Sequence, residues 1–319
     1  MFSRLRGLEV GERQFKVASY IALALLTFIV FTGAAVRLTD SGLGCPTWPH
    51  CYGEITPPLA IHPLIEFSNR AISAGVGLIM VVIFVMALRR RPYRRDLVWL
   101  SGTIPIGVLC QAVLGGFTVR EHLAPGFVMS HFLLSMVILI FCVWLAWNAT
   151  YEPGSRPRTD DRLIVYCVRG LAVLTALTLF GGTLATAAGP HSGGLRSQVH
   201  EIVRLTIHGK NTLEWAVNLH GIIATILGMA LICVWLLKVK RSGNQVDPTS
   251  PLTIMGVLMA GQGLLGAVQY ELKLPGGMVW LHVVMATATW LVSLWAVARE
   301  GMLAKRATGG VRAVGHPAP

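Results

Sequence analysis

Residues 62–80 read HPLIEFSNRAISAGVGLIM. From Ala71 to Leu88 no charge interrupts an apolar run long enough to cross a bilayer, whose hydrocarbon core of about 30 Å needs about 20 residues of helix. Yet the first two turns of this segment carry Glu66, Asn69 and Arg70. Ionisable groups inside a membrane helix are costly and mark functional positions by default.

The whole chain shares its character. Of 319 residues, 54% are hydrophobic and 13% charged, about half the charged share of a soluble domain (about 25%). Mean hydropathy is +0.62. Eight apolar runs are expected to span the membrane, at 17–38, 64–88, 97–119, 126–149, 163–187, 214–237, 251–270 and 277–298. All must be helical, because lipid offers backbone N–H and C=O groups no partner. The fold class is therefore all-α, a polytopic membrane protein.

The net charge of +12 does not imply nucleic acid, because of where it lies. Lys and Arg collect at the N-terminus, in RRRPYRR (89–95), SRPRTDDR, KVKR and the C-terminal tail. Only seven of 27, namely Arg37, Arg70, Arg120, Arg196, Arg204, Lys210 and Lys273, fall on the other side. This positive-inside bias places both termini in the cytoplasm and loops 39–63, 120–125, 188–213 and 271–276 outside. The basic loops set topology and touch anionic lipid. No transit peptide precedes the first span, so a bacterial plasma membrane is expected.

Six cysteines are present. Cys110, Cys142, Cys167 and Cys233 fall in apolar helices and read as small buried hydrophobes. Cys45 and Cys51, in GLGCPTWPHCYG, share the first outward loop, where an oxidising compartment favours a disulfide.

A shift of 151 residues aligns the chain with itself. QAVLGGFTV from Gln111 meets QGLLGAVQY from Gln262, His131 meets His282 and Asn69 meets His220. FTGAAVRLT resembles FGGTLATAA at a slightly different offset. Each half holds four helices, and an even number makes the repeats parallel. Two four-helix bundles are expected, at 1–150 and 151–319.

The four matched positions lie roughly six residues, about 9 Å, inside their helices. Two histidines facing each other in a four-helix bundle commonly hold a heme iron, and His220 and His282 are read as axial ligands of a heme. Hydrogen bonds between helices are the plainer alternative. The residue one turn on is small in all four cases, Ser73, Ser135, Ala224 and Ala286, which clears space for a flat macrocycle. Asn69 is a poor iron ligand, so the first half offers His131 on one side and an open or weakly held face on the other. That half is the expected reaction site. Glu66 shares a helix face with Asn69, and its counterpart is Val217. A carboxylate in one copy alone suits proton transfer, or an ion pair with Arg70 or Arg37. These two arginines could clamp carboxylates such as heme propionates or snorkel to headgroups. His50, His62, His122, His191, His200, His208 and His316 fall in loops or the tail. Most read as solvated, while Pro63 could fold His62 over the open face.

These residues resemble the heme A synthase family. The likeness rests on GAAVRLTDSGLGCPTWPHC, IEFSNR, the helical His131, and the NLHG and WLHV histidines, and covers about 13–298. It implies a membrane enzyme that oxidises the C8 methyl of heme O to a formyl group, giving heme A for cytochrome oxidase, with water as oxygen source. By motif, Glu66 matches the catalytic carboxylate and His131 a ligand of the substrate heme. His220 and His282 match the ligands of heme b, and Cys45 and Cys51 the first-loop pair. Implied partners are heme O, the bilayer, the heme O synthase and an electron acceptor of unassigned identity, with a homo-oligomer a further expectation. This chain departs from the pattern at Asn69, where many members have histidine. It also departs in AAGPHSGGLRSQVHE, where some members carry a second cysteine pair. The alternatives are a di-heme b-type, quinone-linked electron carrier and a heme-handling transporter.

Overall fold

The computed structural model describes residues 9–191, 193–194 and 203–303. Arg196, His200 and His316, read above as loop or tail residues, lie outside them. Eight helices follow in order: α1 (Glu12–Leu38), α2 (Ile61–Arg89), α3 (Arg95–Arg120), α4 (Pro125–Thr150), α5 (Arg162–Ala188), α6 (Thr212–Arg241), α7 (Pro251–Glu271) and α8 (Gly276–Glu300). All eight are long and apolar enough to cross a membrane. They extend the expected spans by a few residues, since helices continue past the hydrocarbon into polar caps. Pro125 and Pro251 open α4 and α7, where the missing N–H costs no hydrogen bond. Asp161 caps α5, its carboxylate accepting from Ile164 N–H at 3.1 Å.

Helices α1 to α4 pack in a closed ring, each against the next and α4 against α1. Helices α5 to α8 form a second ring in the same order. The rings meet where α8 lies against α1 and α4, and α4 against α5. Two tryptophans of α8 fasten this seam. Trp280 Nε1 donates to Phe31 O and buried Trp290 Nε1 to Met136 O, both at 3.0 Å. Such donors are satisfied across the seam because lipid could not satisfy them.

Outward faces are apolar. Val257 and Leu264 are each 70% exposed and Val82 57%, which only a hydrocarbon solvent would tolerate around a whole ring. Cys110 and Cys233 lie on this outer surface, against the expectation of burial, whereas Cys142 is buried. Period alone places a residue on a helix but does not say which helices flank it.

The basic run 89–95 also departs from expectation. Arg90 and Arg94 are buried, not facing lipid. Arg90 Nη2 pairs with Glu152 at 2.9 Å, and Arg94 with Asp96 at 2.6 Å. Arg94 further donates to Asn148 O and Tyr151 O at the end of α4. Arg94 thus closes C-terminal carbonyls of α4, where positive charge is favoured, while Arg90 is held by Glu152 just beyond that end.

Candidate functional site

His220 on α6 and His282 on α8 face each other with ring centroids 6.2 Å apart. A metal taking one nitrogen from each ring at about 2 Å needs ring centres roughly 6 Å apart, so the pair fits an iron held from both sides. His220 Nδ1 lies 3.0 Å from Thr178 O. A carbonyl only accepts, so Nδ1 carries the proton and Nε2 keeps its lone pair for a metal. Each ring rests on a glycine. A Cβ on Gly182 would stand 3.3 Å from His220 Cε1, and one on Gly266 3.3 Å from His282 Cε1.

The first half repeats this seat at one position and breaks it at the other. A Cβ on Gly115 would stand 3.3 Å from His131 Cε1, the same contact that Gly266 makes with His282. Gln111 Nε2 donates to His131 O at 2.9 Å. Its counterpart Gln262 donates to His282 O at 3.3 Å in the amide orientation that satisfies both its ends. But among the described residues His131 Nδ1 is buried without a partner, whereas His220 Nδ1 is fixed. Asn69, which stands for His220, contacts Thr32 Oγ1 through Oδ1 at 2.8 Å. Gly33, the counterpart of Gly182, has nothing within 4 Å of where a Cβ would be.

Glu66 is buried on α2, and its carboxylate is doubly held. Oε1 accepts from Arg70 Nη2 at 2.6 Å and Oε2 from Cys45 N–H at 2.7 Å. Arg70 also donates to Cys45 O and Thr47 O, each at 2.8 Å. The ion pair that the sequence left as an alternative is therefore present, and it ties α2 to the loop. Cys45 and Cys51 form a disulfide inside that loop. Between them Trp48 reaches back over α3, where a Cβ on Gly116 would meet its ring at 2.9 Å. Sequence reasoning missed Trp48. A signal existed, since Gly116 aligns with Ala267, so clearance is kept only in the half that receives the indole.

Arg37 does not snorkel outward. Its Nε donates to His191 O at 3.0 Å and its Nη2 to Thr186 O at 2.9 Å, bridging α1 to the end of α5. His191, expected to be solvated, places Nε2 2.7 Å from Leu274 O. His62 opens α2 and binds Ser41 Oγ through Nδ1 at 3.0 Å; it is not among the residues lining the site.

One continuous cavity of ≈ 1970 Å³ is bordered by Glu66, Asn69, His131, His220 and His282. That is roughly twice the upper end of the range for a single small-molecule pocket, about 1,000 Å³. Ser73, Ser135, Ala224 and Ala286, one turn beyond Asn69, His131, His220 and His282, all border it. Arg37, Arg70 and Trp48 border it too.

The family model of COX15-CtaA, described as cytochrome oxidase assembly protein, matches residues 16–192, more than half of the chain. The chain belongs to this family. Among curated relatives, the heme A synthase of Shewanella oneidensis is 32% identical over 183 residues, covering 50% of this chain and 51% of the relative. The chain thus spans about half the length of that relative. The heme A synthase of Staphylococcus aureus (strain JH9) is 27% identical over 272 residues, covering 81% of this chain and 86% of the relative. The family match takes in residues 16–150 of the first half, with Glu66, Asn69, Arg70, His131 and the disulfide loop inside it.

Proposed function

We propose that this protein is a heme A synthase, converting the C8 methyl of heme O to a formyl group for cytochrome oxidase. The observation that carries this is the divergence of two matched seats. One half presents two imidazoles 6.2 Å apart, and the other replaces an imidazole with Asn69 beside a carboxylate, Glu66. A simple carrier of two permanent hemes gives no reason for that difference. The relatives named heme A synthase support the same reading.

In this reading residues 1–150 bind heme O and residues 151–319 hold heme b. His220 and His282 are the residues that would bind heme b, which supplies reversible one-electron storage. His131 binds the substrate from one face. Its Nδ1 has no partner among the described residues, so, like its counterpart His282, it lacks the second contact that fixes His220 and raises ligand basicity. A substrate must leave after reaction, whereas a cofactor stays.

Oxidising a methyl to a formyl group with one water as oxygen source releases four protons and four electrons, and the electrons must leave to an external electron acceptor. Protons leave with the electrons, and Glu66 is the carboxylate placed to accept them. Arg70 and the Cys45 N–H hold it in one rotamer facing the cavity. Trp48 and the disulfide loop cover this end and exclude bulk water. The farnesyl tail of heme O lies in lipid. With both termini cytoplasmic, as the distribution of Lys and Arg supports, the loop faces outward across a bacterial plasma membrane.

The test is to express the chain with a heme O source and extract the pigment. Heme A is expected from the wild type. Glu66→Gln should retain heme b absorbance and form no heme A. Heme A formation in that variant would remove Glu66 from catalysis, and its absence from the wild type would favour an electron carrier.

A further inference from the structure

The exchange of histidine for asparagine at position 69 is one part of a paired replacement. In the second half, α5 offers Gly181 and Gly182 to His220. Gly181 would place a Cβ 3.5 Å from His220 Nδ1, and Nδ1 uses the carbonyl of Thr178, three residues earlier. In the first half the aligned residues of α1 are Thr32, Gly33 and Ile29. Thr32 Oγ1 lies 2.8 Å from Asn69 Oδ1 and 3.2 Å from Ile29 O. The hydroxyl therefore takes up the carbonyl that corresponds to Thr178 O, the one His220 Nδ1 uses in the other half. Asn69 is shorter than histidine and ends at Thr32, so the space over Gly33 stays open.

A hydroxyl carries one proton. Either it donates to Asn69 Oδ1, or it donates to Ile29 O and accepts from the Asn69 amide. Both arrangements consume one end of the amide. The other end has no hydrogen-bond partner among the described residues, and Asn69 borders the cavity. A polar group with spare capacity at the edge of an open space suits a small ligand able both to donate and to accept.

We propose that Thr32 and Asn69 together build a site for a solvent-sized ligand, water or a small nitrogen base, on the face of the substrate heme opposite His131. This rests on the assignment of the first half as the heme O pocket. Asn69 is then a positioning residue: it orients the small ligand rather than binding iron itself. Thr32 fixes the amide, and its γ atoms, lying beyond a Cβ that at Gly181 would already touch His220 Nδ1 at 3.5 Å, crowd a histidine at 69.

The test uses the full-length chain, purified with both pockets loaded and oxidised, with imidazole as probe. The His131-dependent heme should change its absorption and spin state as imidazole is added, while the heme held by His220 and His282 should not. Thr32→Gly combined with Asn69→His should give a second low-spin, bis-histidine signal and lose the response to imidazole. Asn69→His alone, with Thr32 still in place, should not. A wild-type first pocket that is already low-spin and insensitive to imidazole overturns the proposal without recourse to any variant. So does a single Asn69→His that matches the double. His131→Ala separates the two levels of argument. If it leaves the heme content and the imidazole response intact, the pocket assignment itself is wrong.

Discussion

Arg70 Nη2 lies 2.6 Å from Glu66 Oε1, one helical turn away, and the same guanidinium holds the carbonyls of Cys45 and Thr47. A residue of the membrane helix thus fixes both the carboxylate and the loop above it. Arg70→Ala leaves Glu66 Oε1 and these carbonyls without this donor, a loss of about 3 kcal/mol for a buried pair. A lower thermal unfolding midpoint and reduced heme A yield are expected, with the heme of the second half unchanged. Arg70→Lys keeps the charge but not the fork and should fall between. An unaltered midpoint for the alanine variant would show that this cluster does not anchor the loop.

The glycine seats give selective perturbations. Gly115→Ala presses on His131 and Gly266→Ala on His282, each at 3.3 Å. The first should weaken heme O retention and spare the other pocket; the second should do the reverse. His220→Ala should lose the heme of the second half altogether. Pigment stoichiometry after purification reads all three, and equal losses from both pockets in either glycine variant would contradict the independence of the seats.

Trp48 offers a test of the covering loop. A Cβ on Gly116 would stand 2.9 Å from the indole, so Gly116→Val must lift the loop. Reduction of the Cys45–Cys51 disulfide should act in the same direction, by freeing the segment that carries Trp48 and the Cys45 N–H. Both treatments should lower heme A yield and increase alkylation of Cys45 in the reduced protein, leaving the second heme intact. Full activity with the loop reduced and alkylated would mean that it is not needed to shield the site.

At the basic end, Arg241 and the N-cap bond to Ile164 hold the Asp161 carboxyl below its usual range. A depressed carboxylate stabilises the folded state above the ordinary aspartate value of about 3.9, and that contribution fades as pH falls through the lowered value. Asp161→Asn should therefore unfold at lower temperature than the wild type near pH 7. The two midpoints should converge in acid below about pH 4. A difference that persists unchanged into acid would rule out the charge of Asp161 as its source.

Much of this architecture was legible from the residues alone. Eight spans follow from the fixed thickness of the bilayer and the need of every backbone group for a partner, both local constraints. The repeat placed Asn69 against His220 and His131 against His282, because duplicated helices keep their register. Glu66 stood out for want of a counterpart. Other features depend on how helices approach one another, which no periodicity records. Thr32 finds Asn69 across 37 residues and Arg37 reaches Thr186 across 149. Burial of Arg90 and Arg94 required the end of α4 to arrive beside them. Sequence determined which polar groups enter the membrane. Tertiary structure alone decided which of them satisfy one another, because a hydrogen bond is set by distances of a few tenths of an ångström between elements far apart in the chain.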